Sequence, residues 1–111
     1  MPPTLDDAAV LRDLARRSGA SLVVIFGSVA RGDARPDSDV DFAIDGLGWW
    51  EGLALGSEIG RALGREAHVV EFSAASDRLR YEIARDGVPL HAREPTAWPC
   101  FQARAAVRWL D

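Results

Sequence analysis

The chain has 111 residues, of which 48% are hydrophobic and 27% are charged. This length and balance predict one folded domain spanning residues 1–111, with a modest core and no long disordered tract. Seventeen acidic and thirteen basic residues give a net charge of −4, which argues against non-specific nucleic-acid binding through phosphate contacts.

Cysteine content and hydropathy bear on the compartment and on the possible kinds of site. The single cysteine, Cys100, excludes an intrachain disulfide and a cysteine-based zinc cluster, and we expect it to be a small buried residue. The first residues lack the basic and apolar segments of a signal peptide, and no apolar run approaches transmembrane length. We therefore expect a cytoplasmic protein with no membrane partner.

The first predicted element is a helix from Leu5 to Arg17. Its apolar residues recur at helical spacing. Thr4 is a candidate N-terminal cap, and Gly19 marks the end. We expect this helix to pack on one face of a sheet.

A glycine-serine turn ends the first apolar run, a predicted strand from Leu22 to Phe26. The backbone N–H groups of a helix that begins at such a turn suit a phosphate, so Gly27 and Ser28 are candidate nucleotide-binding residues. Arg31 in the same turn is a further candidate, because a guanidinium can bind a phosphate through two hydrogen bonds.

Two aspartates open the next predicted strand, Val40 to Ile44. Asp39 and Asp41 are two residues apart, so in an extended chain their side chains point to the same face. Neighbouring carboxylates repel each other unless a cation neutralises them. Mg²⁺ is usually bound by one or two carboxylates together with substrate phosphates. The two ends of this stretch therefore predict a metal-dependent site for a nucleoside triphosphate.

These residues resemble a known signature. Gly27-Ser28, ten further residues and then Asp39-Val40-Asp41 are similar to the motif of the DNA polymerase β-like nucleotidyltransferases, and the flanking residues resemble its minimal nucleotidyltransferase (MNT) type. The likeness extends to Asp86-Gly-Val-Pro-Leu90. It implies a single minimal nucleotidyltransferase domain over residues 1–111, with an α/β fold in which helices pack on a small mixed β-sheet.

The resemblance also implies a function. Proteins of this type are often antitoxins of HEPN-type RNase toxins, and some transfer AMP from ATP to a tyrosine of the toxin. It implies that Asp39 and Asp41 bind one or two Mg²⁺ ions and that ATP is the substrate. The expected activity is transfer of a nucleoside monophosphate, AMP from MgATP, to a hydroxyl of a protein partner.

The third predicted strand, Glu66 to Phe72, departs from the family pattern. Many active relatives carry a third acidic residue at the position that His68 occupies here. A neutral imidazole can accept a proton, so His68 is a candidate catalytic residue. Glu71 is the other candidate, although its odd offset from His68 predicts the opposite face of the strand.

Helices are predicted on both sides of this strand. The preceding helix has a glycine at every fourth position, which permits close approach to a sheet or a partner, and we expect the adjoining Trp49 and Trp50 to be core or interface residues. Ser73 or Ser76 begins a helix that ends at Gly87, and a short strand covers residues 88–92. A last helix carries the aromatic stripe Trp98, Phe101, Ala105 and Trp109, which packs on the core or forms a surface for a partner or a second copy.

Two other functions remain open from the sequence. The protein could block a toxin by stoichiometric binding with little or no catalysis, which the missing third acid favours. It could instead transfer a nucleotide to a small molecule, although a chain this short has little material for a second substrate pocket. The intact pair Asp39 and Asp41 favours the enzyme, because unneutralised adjacent carboxylates are destabilising.

Overall fold

The computed structural model describes residues 5–110. The helices and strands are, in chain order, α1 (Leu5–Arg17), β1 (Leu22–Phe26), α2 (Gly27–Arg31), β2 (Val40–Asp45), α3 (Trp49–Leu63), β3 (Ala67–Glu71), α4 (Asp77–Asp86), β4 (Val88–Ala92) and α5 (Ala97–Leu110). The predicted order of elements is confirmed. Thr4, the candidate cap of α1, lies outside the described residues.

The four strands form one mixed sheet in the order β3-β2-β1-β4. β1 pairs antiparallel with both β2 and β4, whereas β2 and β3 are parallel. The parallel pair needs a crossover connection, and α3 supplies it. The predicted small mixed sheet with helices packed against it is therefore confirmed.

Helices cover both faces of this sheet. Alternate residues of β1 enter two separate cores: Val23 and Ile25 pack with α1 and α3, whereas Val24 and Phe26 pack with α4 and α5. Because β1 lies in the interior of the sheet and is buried on both faces, its sequence is an unbroken apolar run rather than an alternating pattern.

The regularly spaced glycines of α3 face the sheet. A Cβ at Gly52 would lie 2.6 Å from Cδ1 of Ile44, and one at Gly56 would lie 2.6 Å from Cγ2 of Val69. The missing side chains thus allow α3 to approach the sheet closely. Of the two predicted uses of this glycine face, contact with a sheet or with a partner, the structure shows contact with the sheet.

Aromatic residues are distributed differently from the expectation. On α5, Phe101 is 7% exposed and meets Phe72 edge to face at 4.6 Å between ring centroids, so this part of the stripe is core. Trp109 is 45% exposed, although its ring stacks on Tyr81. Trp49 and Trp50 are 63% and 76% exposed at the start of α3, so a core role for them was wrong.

The cap of α4, the position of the cysteine and the polarity of the helices also bear on the sequence predictions. Ser76 rather than Ser73 caps α4, because its Oγ accepts a hydrogen bond from the N–H of Leu79 at 3.1 Å. Cys100 is exposed, so the expected burial was wrong; it falls on the outer side of α5. Across residues 5–110, no helix has the length and apolar character needed to cross a membrane.

Candidate active site

Asp41 stands where three strands of the sheet meet. It is the second residue of β2, and the strand pairing places it opposite Phe26 at the end of β1 and His68 near the start of β3. Its side chain is 29% exposed. The carboxylate is therefore held on a rigid strand and still accessible to a ligand.

Gly27 brings the turn after β1 directly against this carboxylate. Its φ angle is +79°, and a Cβ there would lie 2.5 Å from Oδ2 of Asp41. A side chain at this position would clash, and L residues rarely adopt this backbone conformation. Ser28 follows at the first turn of α2 and is partly buried. The structure thus brings Gly27, the first of the candidate phosphate residues, directly against Asp41.

His68 lies on the other side of the same carboxylate. Its Nδ1 atom is 3.2 Å from Oδ1 of Asp41, and its side chain is 69% exposed. When the proton is on Nδ1, that nitrogen donates to Asp41, and Nε2 keeps a free lone pair. The two oxygens of Asp41 therefore have separate neighbours: Oδ1 meets the imidazole, and Oδ2 faces Gly27.

Asp39 is exposed in the segment that enters β2. The loop before it forms a turn in which the N–H of Arg35 donates to Oγ of Ser38 at 2.9 Å, and the N–H of Ser38 donates to the carbonyl of Arg35 at 3.0 Å. Nη1 of Arg65 donates to the carbonyls of Arg35 and Ser38 at 2.7 and 2.8 Å. The sequence analysis assigned no role to Arg65 and missed this contact, which joins Arg65 to a residue 27 positions earlier in the chain.

Glu71 does not join these residues. The register pairs it with Ile44, whereas His68 pairs with Asp41. An offset of three residues along the strand separates the two positions by about 10 Å, and this odd offset turns Glu71 to the opposite face of β3. The structure therefore does not bring Glu71 to Asp41, because β3 has no bulge that would return it to the face of His68.

Arg31 is engaged in ion pairs. Its Nε lies 3.3 Å from Asp33, and its Nη1 lies 3.7 Å from Oδ2 of Asp86. A hydrogen bond from Arg85 and then the charges of Arg85 and Arg31 hold the pKa of Asp86 below its usual range. The Arg31 side chain is 45% exposed, so it can still turn toward an anion, but it would exchange these partners to do so.

The donor set suits a metal that shares its ligands with the substrate. Among the residues that the structure describes, no three His, Cys, Asp or Glu side chains converge to hold a metal unaided. Mg²⁺ commonly takes only one or two carboxylates and completes its shell with phosphate oxygens and water. Asp41, which lies against the Gly27 turn, and Asp39, two residues before it, are a donor pair of this kind.

Proteins of known family and structure share this architecture. A family model described as "Polymerase beta, Nucleotidyltransferase" matches residues 11–96. A solved structure assigned as a minimal nucleotidyltransferase is 32% identical, with a TM-score of 0.65, and the match covers 76% of this chain and 89% of the other. No curated protein matches the chain in sequence.

Two toxin-antitoxin structures share the fold at lower identity. A toxin-antitoxin with AMP-PNP is 20% identical, with a TM-score of 0.75 over 96% of this chain and 88% of that one. A tri-AMPylated HEPN toxin from Shewanella oneidensis in complex with its MNT antitoxin contains a chain that is 19% identical, with a TM-score of 0.70 over 94% and 84% of the two chains. The chain studied here belongs to the polymerase β nucleotidyltransferase family, in its minimal nucleotidyltransferase branch.

Proposed function

We propose that the protein transfers AMP from MgATP to a hydroxyl group of a protein partner. The observation that carries the proposal is the arrangement around Asp41, whose one oxygen faces the Gly27 turn while the other meets the His68 imidazole. It supports the proposal because the residues that we propose to bind phosphate, to hold the metal and to accept the proton lie side by side on the sheet.

The proposed reaction needs each of these parts. The acceptor oxygen attacks the α-phosphorus of ATP, the bond from that phosphorus to the bridging oxygen breaks, and pyrophosphate leaves. Nε2 of His68 takes the hydroxyl proton, while Asp41 holds the other ring nitrogen and so orients the imidazole. Gly27 and Ser28 bind the terminal phosphates, and Arg31 is available to them. Mg²⁺ bound by Asp39 and Asp41 would supply charge stabilisation for the α-phosphate and the leaving pyrophosphate.

The proposed partner is a HEPN-type RNase toxin, with this protein as its antitoxin. Support comes from the fold shared with antitoxins of such pairs, one of them in complex with an AMPylated toxin. The short chain agrees with this, because a protein partner can bring its own acceptor residue and part of the site. The cytoplasmic location stays a prediction of the sequence.

A second candidate is a stoichiometric antitoxin with little or no turnover. His68 favours it, because imidazole is a poorer Mg²⁺ ligand than a carboxylate. Small-molecule transfer has weaker support, because the cavity that includes His68 runs along the edge of β3 toward Trp49 and Leu53 and is predominantly apolar rather than a second polar pocket.

The test is to incubate the protein with its cognate HEPN-type partner and MgATP and to measure the intact mass of the partner. We expect the mass of one or more added AMP groups with the wild-type protein and none with Asp39→Asn. An unmodified partner that is inhibited equally well by both proteins at equimolar ratio would refute transfer and establish the stoichiometric antitoxin.

A further inference from the structure

The two aspartates of the site are held by different means. Asp41 lies inside the sheet, where pairing to both neighbouring strands determines its position. Asp39 precedes the first residue of β2, so no paired strand residue holds it. The nearest ladder bond to it is that from the N–H of Val40 to the carbonyl of Glu66, at 2.9 Å. The orientation of Asp39 therefore depends on the loop that leads into it.

One side chain from a distant element holds that loop. Nη1 of Arg65 donates to the carbonyls of Arg35 and Ser38, the two residues that close the turn. The carbonyl of Ser38 belongs to the peptide group that joins it to Asp39. Because a peptide group is planar, a hydrogen bond that holds this carbonyl also restricts the backbone of Asp39.

The backbone of Arg65 is itself well fixed. Gly64 ends α3 in the left-handed conformation with a φ angle of +65°, and the N–H of Arg65 donates to the carbonyl of Gly60 at 2.9 Å. A Cβ at Gly60 would lie 2.6 Å from the carbonyl oxygen of Arg65, so glycine is needed for this close approach. The end of α3 thus aims the guanidinium at the loop.

We propose that Arg65 is a positioning residue that sets the Asp39 carboxylate for the metal and nucleotide. The inference rests on the proposed function, because it takes Asp39 to be a metal ligand. Arg65 acts through backbone carbonyls and does not touch the reacting atoms. Residues that orient metal ligands in this way typically change metal affinity or activity about 10–100-fold when they are replaced.

Arg65→Ala is the direct test, and Arg61→Ala is its matched control. Arg61 is exposed in the last turn of α3, four residues before Arg65, so its replacement removes the same charge without touching the loop. Arg65→Lys keeps the charge and a donor group, so we expect it to retain part of the order of the loop and part of the nucleotide affinity that Arg65→Ala loses. Thermal unfolding of all three variants checks that they remain folded.

The first readout does not need the nucleotide. Hydrogen exchange of the Arg35 and Ser38 amides, which close the turn, should quicken in Arg65→Ala and stay at the wild-type rate in Arg61→Ala. The second readout is calorimetric affinity for AMP-PNP with Mg²⁺, which should fall about 10–100-fold in Arg65→Ala, remain unchanged in Arg61→Ala and recover in part in Arg65→Lys.

The outcomes separate this inference from the proposed function. Unchanged amide exchange in Arg65→Ala would overturn the positioning role, and so would faster exchange with unchanged affinity. Equal losses of affinity in the Arg65 and Arg61 alanine variants would overturn it as well, because charge alone would then explain binding. A wild-type protein that binds no AMP-PNP would refute the proposed function, and amide exchange would still decide whether Arg65 orders the loop.

Discussion

Asp41 has one oxygen against a glycine turn and the other against an imidazole, and this division decides how each neighbour can act. The contact of His68 with Oδ1 leaves Oδ2 for a cation on the side of Gly27. Asp39 would supply a second carboxylate from the same edge of β2. Single substitutions can therefore test the role of each residue of the site separately.

Asp39→Asn and Asp41→Asn should each abolish Mg²⁺-dependent binding of ATP, since each removes one anionic ligand. Calorimetry with MgATP measures this, and circular dichroism checks the fold. Asp45→Asn is the control, because Asp45 is an exposed carboxylate at the other end of β2. Wild-type affinity in both site variants would rule out the proposed metal ligands.

His68→Ala should lower AMP transfer about 100-fold or more, the usual effect of losing a general base. His68→Asp should retain or raise transfer with Mg²⁺, because carboxylate is the better ligand. The measurement is the rate of AMP incorporation into the partner, with His91→Ala as the control. Full activity of His68→Ala would remove this residue from the mechanism.

At the scale of elements, the site depends on close contacts that α3 and α4 make with their neighbours. Glycines allow α3 to lie close to β2 and β3, and the end of α3 directs Arg65 toward the Asp39 loop. At the end of α4, the carboxylate of Asp86 accepts a hydrogen bond from Arg85 and lies near the guanidinium of Arg31 on α2. Both junctions can be tested through stability.

Gly56→Ala should destabilise the protein. Alanine improves helix propensity by about 1 kcal/mol, but its Cβ would lie 2.6 Å from Cγ2 of Val69 and 3.2 Å from Cζ of Phe42. Overpacking of this kind costs about 1–3 kcal/mol, so a net loss is expected. Urea denaturation measures it against Ser57→Ala, an exposed neighbour on α3. A stabilised Gly56→Ala variant would mean that the helix can move away from the sheet.

Asp86→Asn should flatten the acid limb of the stability profile. The neighbouring Arg85 lowers the pKa of Asp86 from 3.8, so its contribution is complete above that value and is lost as pH falls through the lower folded value. At neutral pH the variant should lose about 1 kcal/mol of unfolding free energy. Urea denaturation across acid pH compares it with Asp37→Asn, and identical profiles for Asp86→Asn and wild type would contradict the prediction.

For the molecule as a whole, the exposed apolar side chains of α5 are the surface on which we expect a partner or a second copy to bind. On α5, Val107 is 64% exposed and Leu110 is 80% exposed, whereas Phe101 on the same helix is buried. One helix thus has a core face and an outward face. The predicted interface must therefore use the outward face, and the inclusion of Phe101 in it was wrong.

Leu110→Ala should weaken partner binding or self-association by about 2 kcal/mol if it is a hot spot, with no change in the fold. Phe101→Ala should instead cost about 3–5 kcal/mol of folding free energy. Calorimetric titration with the partner and light scattering separate the two effects. Val10→Ala on α1 is the control, because Val10 is also exposed. Unchanged affinity and oligomeric state in Leu110→Ala would exclude this face as an interface.

The sequence by itself determined the order of the elements, and it predicted that Asp39 and Asp41 share a face. Apolar periodicity, glycine stops and a two-residue spacing are local properties of the chain, so they could be interpreted without a tertiary structure. The family match rested on the same local spacing. The glycine face of α3 could also be predicted from local spacing. The sequence could not show that this face contacts the sheet rather than a partner.

Only the tertiary structure decided which residues meet across the chain. The register of β2 with β3 placed His68 beside Asp41 and removed Glu71, and a one-residue shift would have exchanged the two faces. Arg65 and the Asp39 loop are distant in sequence and meet because α3 crosses over the parallel pair. Burial of Phe101 and exposure of Trp49 have a similar cause, since their chemistry is alike and only the packing of neighbouring elements distinguishes them.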